Sequence, residues 1–159
     1  MASWSDVAKA APEFAATVRA IFDAHKHKIL ATLRKDGSPR ISGIETFTAG
    51  GDLWIGSMPH ARKATDLQRD PRYALHSGSP DPPDWDGDGK VSGRAEEVTD
   101  EERRLALFRS RGSDPPSPDS HLFRLDIDEA VLVGLNDART KLVIQLWRPG
   151  AGVKRTERD

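Results

Sequence analysis

Two tight-turn signals constrain this chain more than any other feature. Three runs with β character, between residues 29 and 57, are joined by Lys35-Asp36-Gly37-Ser38 and by Ala49-Gly50-Gly51-Asp52. Asp-Gly and Gly-Gly supply the positive φ that a hairpin turn needs. Ile29-Leu30-Ala31-Thr32-Leu33, the run Arg40 to Thr48, and Leu53-Trp54-Ile55-Gly56-Ser57 therefore read as consecutive antiparallel strands. After the third run the period changes. Pro59 suits the first turn of a helix, Ala61, Ala64, Thr65 and Leu67 follow at helical spacing, and Asp70-Pro71 ends it. Arg62 and Lys63 then fall in the first turn, where unpaired N–H groups and the helix dipole already favour an anion. A phosphate monoester matches the planar fork of Arg62, the point charge of Lys63 and the hydroxyl of Ser57. The competing reading of Arg62-Lys63 is a solvated helix face.

The rest of the chain extends this pattern. Ser3 can cap a helix over residues 3–23, with Val7, Ala11, Phe14, Val18, Ile21 and Phe22 at steps of three and four. Further β-runs cover Tyr73 to Ser77, Lys90 to Val98, His121 to Val133 and Lys141 to Arg148. A helix capped by Thr99 or Asp100 ends near Gly112 and a Pro-rich turn. The total is about seven strands and three helices with hairpin-length links early and late, which points to a mainly β fold, an antiparallel barrel with peripheral helices. At 159 residues one domain spanning 1–159 is expected, with its barrel over 28–148 and a polar, Gly-bearing tail over 149–159.

Composition excludes several classes. Lys+Arg number 24 against 25 Asp+Glu, a formal charge of -1 that speaks against a dedicated nucleic-acid or membrane-surface protein. With no cysteine there is no disulfide, thiolate metal site or cysteine nucleophile. No export signal is evident, and no apolar run approaches the roughly twenty residues of a membrane span, so a cytoplasmic location is expected. Asp84-Trp85-Asp86-Gly87-Asp88-Gly89 imitates the opening of a calcium loop, but position twelve is Ala95 rather than a bidentate Glu. The histidines are too scattered for a metal cluster, and neither a Gly-x-Ser-x-Gly elbow nor a nucleotide-binding glycine loop is present.

Three quoted features resemble the pyridoxamine 5'-phosphate oxidase-like, FMN-binding split-barrel family. Arg40-Ile41-Ser42-Gly43-Ile44-Glu45 lies where that family's second strand lines the flavin. Gly56-Ser57, followed five residues on by Arg62-Lys63, resembles its flavin-phosphate clamp. Val91-Ser92-Gly93-Arg94-Ala95-Glu96-Glu97-Val98 resembles its barrel-closing strand. The resemblance implies a split β-barrel that binds FMN through Arg62, Lys63 and Ser57 at the phosphate and through Arg40, Ile41, Ser42 and Thr32 near the ring. It also implies a homodimer with the cofactor at the interface, reached by Trp147 and Arg148 of the second subunit, with Gln145 on the same face as Trp147. Trp147 can equally be core filler or an interface anchor. The implied activity is hydride transfer through flavin N5 to or from a small molecule, with no side chain required as acid or base. Alternatives from the same resemblance are a deazaflavin-dependent reductase and a non-enzymatic flavin-binding protein. Pyridoxamine phosphate oxidation itself is not expected: the oxidase has lysine where this chain has Glu45, and the C-terminal segment whose arginine and histidine hold pyridoxal phosphate is missing.

Overall fold

The computed structural model describes residues 1–112 and 117–159. Its elements are α1 (Trp4–Ala10), α2 (Pro12–Ala24), β1 (His27–Leu33), β2 (Pro39–Ala49), β3 (Asp52–Ser57), α3 (Arg62–Arg69), β4 (Arg72–His76), β5 (Asp88–Glu97), α4 (Glu101–Ser110), β6 (His121–Leu135), β7 (Leu142–Arg148) and β8 (Gly152–Arg158). The strands form one antiparallel sheet in the order β3-β2-β1-β4-β5-β6-β7-β8, and a further β3–β6 pairing closes the first six into a barrel. The mainly β fold with peripheral helices is therefore present.

Both expected hairpins form. Gly37 turns β1 into β2 with φ 83°, and Gly50 and Gly51 turn β2 into β3 with φ 59° and 84°. Leu30, Ile44, Ile55, Leu75, Val91, Leu125 and Ile127 fill the main core, joined by Val7, Phe14, Val18 and Phe22 from α1 and α2. A smaller core of Trp54, Val98, Phe108 and Leu122 holds α4 against the outer side of β3 and β6.

Strand β6 serves two partners on one edge. His121 to Leu125 pair with β3, Ala130 to Leu135 pair with β7, and β5 runs along the other edge. Between the two halves Ser92 faces Glu129 while Gly93 faces Ile127, so Asp128 is one residue too many, a bulge that bends the strand. Gly93 permits it: a Cβ there would lie 2.0 Å from the Asp126 carbonyl oxygen. The buried Tyr73 hydroxyl donates to that same oxygen at 3.1 Å.

Three expectations change. The helix over 3–23 is two helices, broken where Pro12, with no N–H to donate, starts α2 after Ala11. The strands number eight, because the tail contributes β8, paired along the whole of β7. Helix α3 begins at Arg62 rather than Pro59, since His60 adopts φ 60° and interrupts the helical path; Arg62 and Lys63 nevertheless stand in its first turn. The Pro-rich turn after Gly112 lies outside the described residues. Of the two expected caps of α4, Thr99 or Asp100, it is Asp100 that accepts from the Arg103 N–H, at 2.7 Å.

Gly93→Ala is expected to lower stability by about 3 kcal/mol, the upper range for overpacking, because backbone on both strands must move. Urea unfolding should show a lower midpoint with an unchanged slope.

Candidate functional site

Two clefts flank the start of α3. The first, about 350 Å³, lies between the outer side of β2, the end of β3 and α4. Gly43 and Glu45 from β2, Gly56 and Ser57 from β3, Lys63 from α3 and Phe108 from α4 form its walls, with Met58, Arg111 and His27 at the edges. Gly56 is small for a reason: a Cβ there would stand 2.9 Å from Phe108 Cε1. The Ser57 side chain is buried, and its Oγ has no hydrogen-bond partner among the described residues. Lys63 Nζ donates to the Gly43 carbonyl at 2.8 Å, and burial pushes its ammonium below the ordinary lysine range. Opposite charge occupies another part of the wall, where Glu45 pairs with Lys26 at 3.5 Å and with His27 Nε2 at 3.6 Å.

The second cleft, about 690 Å³, opens on the other flank of α3 and is basic. Arg40, Arg62 and Arg69 line it together with Arg34 and Lys35 from the β1–β2 turn, against Asp36 and Asp66. Asp66 is 3 % exposed. Its Oδ2 accepts from Arg40 Nε at 2.6 Å and from the Thr32 hydroxyl at 2.9 Å, and its Oδ1 accepts from Arg69 Nη2 at 3.1 Å. Burial pushes the Asp66 carboxyl up, but the hydrogen bonds from Arg40, Thr32 and Arg69 outweigh it and hold the group below its ordinary value.

The residues singled out in the sequence divide between these places. Ser57 and Lys63 meet in the first cleft, whereas Arg62 and Arg40 line the second. Successive helical residues point about 100° apart, so adjacent Arg62 and Lys63 diverge. Thr32, Arg40 and Ser42 share the inward face of β1 and β2, since Thr32 is the register partner of Arg40 and Leu30 that of Ser42. Thr32 is buried against Asp66, and Ser42 lines neither cleft. Ile41 points outward and is 75 % exposed. Trp147 is buried in the main core, paired with Ala130, so within the chain it takes the core-filling alternative; its indole N–H has no partner among the described residues. Arg148 is held by Glu129 at 2.7 Å.

Asp66, Phe108, Arg111 and His27 complete the walls without having been singled out, and Glu45, noted where the oxidase has lysine, joins them through His27. Asp66 left one signal, a carboxylate sharing the apolar side of α3 with Ala64 and Leu67. Arg111 stacks its guanidinium over Phe47 and Phe108 at 5.7 and 5.6 Å.

Asp66→Ala is expected to cost about 3 kcal/mol at neutral pH by stranding the guanidinium of Arg40. The folded carboxyl titrates below the unfolded one, so its contribution is complete above the unfolded value and is lost as pH falls through the folded one. The gap between parent and variant should narrow as urea titrations move from neutral to about pH 3.

Residues 14–134 match the family model described as pyridoxamine 5'-phosphate oxidase. No curated protein matches the sequence. Among solved structures, a pyridoxamine 5'-phosphate oxidase-related, FMN-binding protein from Nostoc punctiforme superposes with a TM-score of 0.65 at 14 % identity, covering 100 % of this chain and 98 % of that one. PhzG from Burkholderia lata, solved with tetrahydrophenazine-1-carboxylic acid, gives 0.62 at 16 % identity over 98 % and 88 % of the two chains. General stress protein 26 from Bacillus anthracis gives 0.58 at 19 % identity over 74 % and 91 %. At these identities the likeness concerns the fold.

Proposed function

The chain belongs to the pyridoxamine 5'-phosphate oxidase family, and from that premise we propose that it is an FMN-binding oxidoreductase acting on a small molecule. The observation that carries the reading is the arrangement at the start of α3. A buried Ser57 hydroxyl lacks a partner among the described residues, a half-buried Lys63 lines the same cleft, and Arg62 and Arg40 lie on the adjoining flank. An anionic ligand satisfies all of these groups together: it supplies Ser57 with a hydrogen-bond partner and the cations with a counter-charge. Ser57, Lys63, Arg62 and Arg40 would hold the phosphate end, and the exposed backbone of β2 near Gly43 would border the ring. When bound, the flavin supplies hydride transfer at N5. The chain's own part is to bind, orient and exclude water, with Phe108 forming an apolar wall.

A homodimer with the cofactor at its seam belongs to the same proposal. Ile41, 75 % exposed, and Ile29, 48 % exposed, stand on the outward face of β1 and β2, and Gly43, the register partner of Ile29, lies in the wall of the first cleft. A second copy covering this apolar strip would deepen a shallow cleft into a pocket. Ile41→Glu should convert a sedimenting dimer to monomer.

The second cleft favours one further reading. Beyond Arg40 and Arg62 it offers Arg34, Lys35 and Arg69, more cationic charge than one phosphate monoester neutralises. The deazaflavin coenzyme, with its longer anionic tail, would use that surplus. Titrating the purified protein with each cofactor, followed by quenching of ring fluorescence, separates the two by dissociation constant. Arg62→Ala/Lys63→Ala is expected to weaken FMN about 100-fold, at roughly 1.4 kcal/mol for each lost charge-assisted bond. Unaltered affinity in that variant, or no binding of either cofactor by the parent, would overturn the reading.

A further inference from the structure

Asp66 is left unexplained by the flavin reading alone. Desolvating a carboxylate is costly, and an aliphatic side chain would pack that face of α3 at lower cost. Its contacts indicate what the carboxylate does there. Oδ2 receives Thr32 from β1 and Arg40 from β2, two register partners on neighbouring strands, so a single oxygen ties α3 to both. The way Arg40 is held matters most. Its guanidinium spends Nε on Asp66, and its Nη atoms have no hydrogen-bond partner among the described residues. Arg40 lines the second cleft with Arg62, whose side chain makes no hydrogen bond or ion pair among the described residues. Asp66 follows Arg62 by four residues, one turn along the same helix. One carboxylate thus holds the guanidinium of Arg40, borne on β2, from the helix that also carries Arg62.

We propose that Asp66 is a positioning residue for phosphate recognition: by gripping Arg40 through Nε it directs the Nη edge, beside Arg62, at the terminal phosphate monoester of the ligand. The inference rests on the flavin reading and deepens it. A guanidinium held along one edge has already lost the rotational freedom that binding would otherwise cost, and its free edge retains the paired N–H geometry that fits two phosphate oxygens. Asp66 itself touches no ligand. Its carboxylate also keeps Arg40 and Arg69 from repelling one another, since both lean on it from different sides.

The test compares FMN with riboflavin, which carries the same ring without the phosphate. Dissociation constants of both, from fluorescence quenching, are measured for the parent, Asp66→Asn and Asp70→Asn; Asp70 pairs with Arg72 and lines neither cleft. The ratio of FMN to riboflavin affinity isolates the phosphate grip, because general destabilisation weakens both ligands alike. Asp66→Asn is expected to lower that ratio about tenfold, the value of one well-placed charge-assisted bond, while Asp70→Asn leaves it unchanged. An unchanged ratio in folded Asp66→Asn, or an equal fall in Asp70→Asn, overturns the positioning role while the flavin reading stands. Failure of the parent to bind either ligand overturns both. Should Asp66→Asn not fold, Arg40→Lys takes its place: lysine can engage Asp66 or the phosphate but has no second edge, so the same fall is expected and a constant ratio refutes the role.

Discussion

The closure of the barrel by β3 against the first half of β6 is the constraint on which the rest of the structure depends. That half-strand must end its pairing with β3 before the same edge takes up β7, and the bulge at Asp128 makes the change of partner possible. Closure fixes the end of β3, and with it Ser57, the turn that follows and the point from which α3 departs. The candidate site is thus set by backbone pairing before any of its side chains act. Gly93, at the bulge, and Gly56, beneath Phe108, are small because two pieces of the fold approach each other closely there.

Polar groups at this end of the barrel fall into two kinds. Thr32, Arg40, Asp66 and Arg69 satisfy one another in a network that joins α3 to two strands. Ser57, buried like Thr32 and Asp66, is left without a partner among the described residues. Buried polar groups in folded proteins are nearly always paired, so the first set accounts for itself as architecture, whereas Ser57 keeps an unused hydrogen-bonding capacity in the wall of the first cleft. The two clefts share a wall, α3.

Local signals were legible and long-range ones were not. The hairpins at Asp36-Gly37 and Gly50-Gly51 could be read because the turn chemistry lies within a few residues, and the same is true of the first-turn placement of Arg62 and Lys63. The break between α1 and α2 was hidden because the apolar spacing of Val7, Ala11, Phe14 and Val18 continues across it, both helices turning that side to the same core. Strand β8 gave no alternation because neither of its faces is buried. In the site, the contacts that organise Asp66 join residues 34 and 26 positions away, a separation that leaves no local pattern. Nor did adjacency in sequence reveal that the side chains of Arg62 and Lys63 line different clefts.

The sheet that closes on itself at one end stays open at the other. Strand β8 is exposed on both faces, and its free edge presents unpaired backbone groups to which another strand can add. Lys154, Arg155 and Arg158 crowd that strand, with Glu157 alone opposing them. Like charges along such an edge disfavour the edge-to-edge addition of an identical strand. That repulsion between exposed charges weakens as salt rises, so ionic strength sets how strongly the cations of β8 oppose such pairing.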